Sequence, residues 1–280
     1  MTKKSGFILF VLIVLTIGIL WFGQDYQNKQ KLELLETNGS SQSNEDKSKD
    51  GEPTVTKKES FEKNRDKKSL LDYLSNVPTD NEKKVISFYG DFSESDSWLL
   101  SVEEYINDQV TDNVQFNTIA LPDFDSYRLL EESTALSLSE AKPDVVFFHI
   151  PVYGDQVRDI SLSDSKEYMM KDYEAIKEAL PETLVVFVTP NPSSSRKEEY
   201  NSRTLVYTSY LQEAIEMIND AKLPLFDLHE AYLAEVESTN LDLETTLTED
   251  GKTLNNKGNE IYTTLFNNAL AISVDTTSGK

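Results

Sequence analysis

Asp144-Val145-Val146-Phe147-Phe148-His149-Ile150 is the stretch that decides the fold. Its apolar residues run on without polar alternation, the pattern of a strand buried on both faces, and such strands belong to sheets covered by helices on either side. Four further strand-like runs lie around it. Val85-Ile86-Ser87-Phe88-Tyr89 and Val114 to Ala120 precede it; Thr183 to Thr189 and Pro224-Leu225-Phe226-Asp227-Leu228 follow. Helical spacing fills the intervals: Trp98, Leu99, Leu100, Val102, Tyr105 and Ile106 after the first run, Tyr127 to Leu130 after the second, then 166 to 180, 197 to 222, and a last helix over Asn259 to Ile272. Repeated strand, turn and helix predict an α/β fold with an open, mostly parallel five-stranded sheet and right-handed crossovers. In such sheets ligands bind beyond the carboxyl ends of the strands, which here means the turns after Tyr89, Ala120, Ile150 and Thr189.

The composition suits one folded domain. Of 280 residues 38% are hydrophobic, enough for one sizeable core. A formal net charge of −22 argues against a broad basic surface for nucleic acid or anionic lipid, so no nucleic-acid partner is expected. The chain has no cysteine, which excludes disulfides, thiolate metal sites, a cysteine nucleophile and a lipid-modified cysteine anchor.

Compartment is written at the N-terminus. Gly6 to Gly23 (GFILFVLIVLTIGILWFG) is uncharged and mostly apolar, with Lys3 and Lys4 before it and Trp21 and Phe22 at its far end. At about 1.5 Å per residue it nearly spans a hydrocarbon core of roughly 30 Å. No small-residue cleavage site follows, so residues 6–23 read as an uncleaved transmembrane signal anchor. The lysines place residues 1–5 in the cytoplasm and the rest of the chain outside it. Residues 24–69 are rich in Ser, Asn, Asp, Glu and Lys and cannot bury enough surface to offset ordering entropy, so a flexible polar linker is expected. The globular domain then spans 70–272, with a tail at 273–280.

Three short motifs stand before the right elements. Gly90-Asp91 follows the first strand, Pro143-Asp144-Val145-Val146 opens the third, and Asp250-Gly251-Lys252-Thr253-Leu254-Asn255-Asn256-Lys257-Gly258 leads into the last helix. Together, over residues 82 to 272, they resemble the first, third and fifth blocks of the SGNH (GDSL) hydrolases, whose fifth block reads D-G-x-H-P-N-x-x-G. The resemblance implies a flavodoxin-like three-layer sandwich and a family of ester and acetyl-ester hydrolases. In that family a serine of the first block is the nucleophile, and an aspartate and histidine of the fifth are orienting acid and base. A second-block glycine and a third-block asparagine help form the oxyanion hole.

Carried over residue by residue, most of these roles fail. Phe92 stands at the nucleophile, Asp123 at the glycine, Tyr153 at the asparagine and Thr253 at the histidine; only Asp250 is retained. A threonine hydroxyl cannot accept a proton at neutral pH as imidazole does. Loss of the serine or histidine of such a triad costs on the order of 10⁶ in kcat, and each oxyanion donor about 10²–10³. The family mechanism therefore assigns no catalytic residue here.

Other residues are weighed in its place. Ser93, Ser95 and Ser97 follow closely on Asp91, and His149 ends the third strand, so Ser93 with His149 is the alternative catalytic pair; the bland reading of His149 is a hydrogen-bonded core residue. His229 reads as a helix cap or an exposed residue. Asp91, Asp123, Asp155 and Asp250 could gather at one end of the sheet and hold a hard cation, but with 49 acidic residues chance proximity is the expected reading, and no metal is assigned. Asp91, Phe92, Tyr153 and Asp155 are the candidate binding residues, Phe92 serving either as an aromatic platform or as a plug. No phosphate loop or zinc spacing is present, so no cofactor is expected.

Two functions remain open. One is a membrane-anchored, extracytoplasmic SGNH-like protein without catalysis that binds or scaffolds at the cell envelope, its partner an envelope component or membrane protein. The other is an esterase, acetyl-hydrolase or acyltransferase on envelope polysaccharide with a rearranged site. A flavodoxin-like domain unrelated to esterases is a third, blander possibility.

Overall fold

A computed structural model describes residues 68–76, 83–110 and 114–277 of the chain. The candidate anchor (6–23) and the linker up to residue 67 lie outside the described residues. Among those described, no helix is long and apolar enough to cross a membrane.

Five strands form one sheet: β2 (Lys84–Gly90), β3 (Val114–Ala120), β4 (Val145–His149), β5 (Leu184–Val188) and β6 (Leu225–Phe226). They lie in the order β3-β2-β4-β5-β6, and every pairing is parallel. Three of the five, β2, β4 and β5, are buried at every position, as the apolar runs of β4 and β5 require; β2 buries Lys84 and Ser87 as well.

Alternation within each run decides which helices it meets. Ile86, Phe88, Val145, Phe147, Val186 and Val188 point to one face, where α2 (Ser97–Gln109) and α9 (Asn256–Ala271) supply Trp98, Val102, Ile106, Tyr262, Phe266 and Leu270. Tyr89, Val146, Phe148, Val185 and Phe187 point to the other, against Met169, Tyr173 and Ile176 of α6 (Leu162–Ala179) and Tyr210, Leu211 and Ile218 of α7 (Tyr207–Asp220). The result is a three-layer sandwich with two apolar cores. Shorter helices complete it: α1 (Leu70–Asn76), α3 (Ser126–Glu131), α4 (Leu138–Ala141), α5 (Val152–Val157) and α8 (Leu228–Ser238). A separate antiparallel ribbon of β1 (Lys68–Ser69) and β7 (Ser273–Val274) clips the two ends of the folded segment together.

One expected helix is much shorter than its sequence suggests. The stretch 197 to 222 becomes helical only at Tyr207, and Ser195 to Tyr200, which reads as a solvated helix face, is loop. The backbone is held elsewhere: the amides of Ser194 and Ser195 and the Ser193 hydroxyl all donate to the carbonyl of Gly251, pinning this loop to the turn before α9.

The first turn of α2 is closed from a distance. Asp96 makes no side-chain cap, and the Trp98 amide donates instead to Asn259 Oδ1 of α9 at 3.0 Å. Asn259 Nδ2 donates in turn to the carbonyls of Leu254 and Asn255. Because one buried amide loses its partner, Asn259→Ala lowers unfolding free energy by about 1–3 kcal/mol in urea titration. A loss within about 0.3 kcal/mol of zero refutes the tertiary cap.

Candidate functional site

The chain order reverses between β2 and β4, because β3 lies on one side of β2 and the later strands on the other. This is the topological switch point at which open α/β sheets leave a crevice. Here the two strand ends are stitched closely. The Asp91 amide donates to the carbonyl of His149 at 3.1 Å, and the Gly90 carbonyl accepts from the amides of Phe92 and Leu121. Above them lies a cavity of about 270 Å³. Asp91, Phe92, Ser93, Asp123, His149, Tyr153 and Thr253, all singled out in the sequence, line it.

Phe92, at the nucleophile position, is a packed ring. It is 8% exposed, with its centroid 4.7 Å from that of His149 and 5.8 Å from that of Trp98. A phenyl ring thus occupies the approach to the one histidine at these strand ends. His149 is itself 2% exposed and sits among Phe88, Phe92, Trp98 and Phe266. Burial drives its pKa down to about 3, so it stays neutral, and Nε2 has no hydrogen-bond partner among the described residues. The hydrogen-bonded core histidine expected from the sequence is therefore buried but unbonded at that nitrogen. Ser93 Oγ is engaged with Ser95 Oγ at 2.8 Å, and no hydrogen bond joins Ser93 to His149. The other histidine, His229, is buried as well, its Nε2 3.0 Å from the Tyr207 hydroxyl, where exposure or simple capping was the expectation.

The segment from Asp250 to Gly258 folds as a turn followed by a helix cap. Asp250 accepts from the Thr248 hydroxyl, from the amides of Lys252 and Thr253, and from Thr253 Oγ1 at 2.6 Å. Partial burial opposes its charge, yet these bonds together hold it well below the usual carboxylate range. With Thr253 donating to it, Asp250 orients no base. Asn255 caps α9 by accepting from the Gly258 amide at 3.1 Å, and Gly251 takes the left-handed φ of +64° that the turn needs. Those members of the signature that remain, Asp250, Gly251, Asn255 and Gly258, are the ones that build the turn and the cap.

The four aspartates do not gather. Asp91 Oδ1 accepts from the Asp123 amide at 2.9 Å, so these two are adjacent. Asp250 is committed to its own turn. Asp155, expected at the binding surface, lies wholly in the core: Oδ1 takes the Ser126 amide at 2.7 Å and Oδ2 the Ser165 hydroxyl, tying α5 to α3 and α6. Asp155 lies on α5 just after β4 and does not line the cavity. Among the described residues no group of three or more histidines, aspartates or glutamates is placed to hold a metal ion.

Lys252 is the residue that sequence reading missed. Its Nζ lies 2.6 Å from Asp123 Oδ1 and 5.3 Å from the Tyr153 ring. Burial pushes the Asp91 carboxyl up to about 7, while the Lys252 charge and the Asp123 amide pull it back. Nothing local marks Lys252, since its partner is 129 positions away. Asp123 carried a faint signal as a non-glycine residue with a φ of +61°, a strained backbone that becomes visible only in three dimensions. Asp96, Trp98, Asn191 and Tyr262 line it as well. The cavity is thus lined by aromatic rings and by carboxylates with one ammonium group. It suits a small polar ligand better than an apolar acyl chain.

No family model and no curated protein sequence matches the chain. Solved structures do. A protein assigned as a GDSL-like lipase, from Parabacteroides merdae, is 16% identical over 69% of this chain and 99% of its own, with a TM-score of 0.52. A lipase/acylhydrolase from Enterococcus faecalis is 20% identical over 68% of this chain and 96% of its own (TM-score 0.51). A carbohydrate esterase family 3 protein from Talaromyces cellulolyticus is 14% identical over 67% and 96% (TM-score 0.53). At such identities the likeness speaks for the fold: the described domain has the SGNH-hydrolase fold.

Proposed function

We propose that this chain is a membrane-anchored, extracytoplasmic SGNH-fold protein that binds a polar ligand at the cell envelope without hydrolysing it. The observation that carries the reading is the buried ring of Phe92 in the place of the nucleophile, packed against His149. Three further replacements, at Asp123, Tyr153 and Thr253, act in the same direction. A carboxylate at Asp123 opposes the negative charge of a tetrahedral intermediate, and Thr253 donates to Asp250 where a base would have to accept. The open cavity above these residues is what supports binding over a purely structural role. Anchoring is supported by the apolar run 6–23, and an envelope component or another membrane protein is the partner that such placement offers.

The test is turnover. The full-length protein, incubated with p-nitrophenyl acetate and with acetylated xylo-oligosaccharides, releases product no faster than buffer, and Ser93→Ala and His149→Ala leave that baseline unchanged. Turnover above buffer that disappears in either variant would establish the rearranged esterase instead. That reading has one feature in its favour, since Ser93 and His149 line the same cavity. For the anchor, membrane pelleting of the full chain, lost on deletion of residues 6–23, is the expected result; unchanged pelleting removes it.

A further inference from the structure

A second groove, of about 670 Å³, opens beside the first cavity and shares Asp123, Tyr153 and Lys252 with it. Charge sets it apart. Arg128, Arg158, Arg196 and Lys252 line it against two carboxylates, Asp123 and Asp125, in a chain with 49 acidic and 27 basic residues. A surface this acidic repels anions except where cations are gathered, and here four converge.

Ring stacking holds two of them in place. The Arg128 guanidinium lies over the Phe124 ring at 3.6 Å, and that of Arg158 over Tyr127 at 5.1 Å. A guanidinium stacked on a ring keeps a fixed plane and presents its edge donors. Each arginine also has one ionic contact: Arg128 Nε with Glu132 at 2.6 Å, Arg158 Nη1 with Asp125 at 3.5 Å and Arg196 Nη1 with Glu199 at 3.1 Å. Five N–H donors per guanidinium leave most of them available after one such contact. Lys252 stands at the junction of the two spaces. Its partner Asp123 is 80% exposed, and exposed ion pairs are weak, so an incoming oxyanion competes for Lys252 at small cost.

We propose that this groove binds an oxyanion, a phosphate or carboxylate group, carried on a ligand whose uncharged polar body lies in the adjoining aromatic cavity. The placement of the body rests on the binding function proposed above; the oxyanion site rests on the groove alone. Planar, forked donors on fixed rings match the oxygens of either group.

The experiment is calorimetric titration of the full-length protein, in phosphate-free buffer, with glucose, glucuronate and glucose 6-phosphate. At low salt at least one anionic sugar binds ten times more tightly than glucose or better, and the advantage shrinks as salt rises to about 0.3 M. Glucuronate alone, or the phosphate alone, assigns the group. Arg158→Gln with Arg196→Gln removes most of the advantage and leaves glucose binding as it was, whereas Arg158→Lys with Arg196→Lys restores part of it. Equal affinity for all three sugars overturns the proposal, as does a folded double glutamine variant that keeps the anion preference. If that variant fails to fold, a salt-independent preference in the unmodified protein overturns it equally. Ester turnover in the assay above overturns the non-catalytic reading and leaves this one standing.

Discussion

Gly90→Ala is expected to lower unfolding free energy by about 3–6 kcal/mol, a large part of the roughly 5–15 kcal/mol that holds a domain together. Two terms add. Gly90 has a φ of +115°, which side-chain-bearing residues rarely adopt, and a Cβ built there falls 2.2 Å from the carbonyl oxygen of His149. That carbonyl belongs to the adjacent parallel strand and accepts the Asp91 amide, so it cannot swing away without parting β2 from β4 at the switch point. In a domain of about 200 residues the loss corresponds to a fall in Tm of roughly 10–20 °C, read by circular dichroism. Gly251→Ala is the contrast. Its φ is also positive, but its Cβ meets Ser194 Oγ at 2.9 Å, which can rotate away, and Ser195 Cβ at 2.9 Å and Ser195 N at 3.1 Å, which belong to a loop outside the sheet, so its loss is expected to be smaller. Equal losses at the two positions would show that backbone strain alone, and no clash across the sheet, sets the cost.

Asp172→Asn is expected to stabilise the protein at pH 8.5 by a few kcal/mol more than it does at pH 5, since a tenfold change in proton affinity is worth about 1.4 kcal/mol. Asp172 lies on α6 and is 1% exposed, and Oδ2 has no hydrogen-bond partner among the described residues. Burial, reinforced by the charge of Asp155, pushes its pKa up to about 8 from an ordinary 3.8. A carboxyl that holds its proton more tightly when folded destabilises the fold as the pH rises. The penalty is absent below the unfolded value near 3.8, grows between pH 4 and 8, and is complete above the folded value. Asp155, raised to about 6, and Asp91, raised to about 7, act with the same sign over narrower windows. Denaturant titrations of both proteins at the two pH values separate the outcomes. Parallel losses of stability from pH 5 to 8.5 in the natural protein and in Asp172→Asn would mean that Asp172 carries no special penalty.

Much of the fold was legible because its determinants are local. The apolar runs in β2, β4 and β5 fixed strands that are buried on both faces, and β3 spans the same residues, Val114 to Ala120, that its sequence run marked. Where a segment's polar groups are satisfied by a distant partner, local reading failed. Ser195 to Tyr200 carries helix-favouring residues, but the carbonyl of Gly251 claims the amides of Ser194 and Ser195, and the helix starts seven residues after Tyr200. Asp155 failed for the same reason, since nothing in its neighbours shows that Ser126 and Ser165 enclose it. At the site, Phe92 and Thr253 were readable because identity alone decides whether a side chain can serve as a nucleophile or a base. What surrounds them was not readable.

By itself, then, the sequence determined the α/β alternation, the parallel sheet, the crevice beyond its carboxyl ends and the identity of Phe92, Asp123, Tyr153 and Thr253 there. Periods of 2 and 3.6 residues and the chemistry of a single side chain are properties of short stretches. Only the tertiary structure decided that Lys252 meets Asp123, that His149 stays neutral under Phe92, and that Arg128, Arg158 and Arg196 converge on one groove. Those outcomes depend on distance and desolvation between residues far apart in the chain, and no local pattern encodes either.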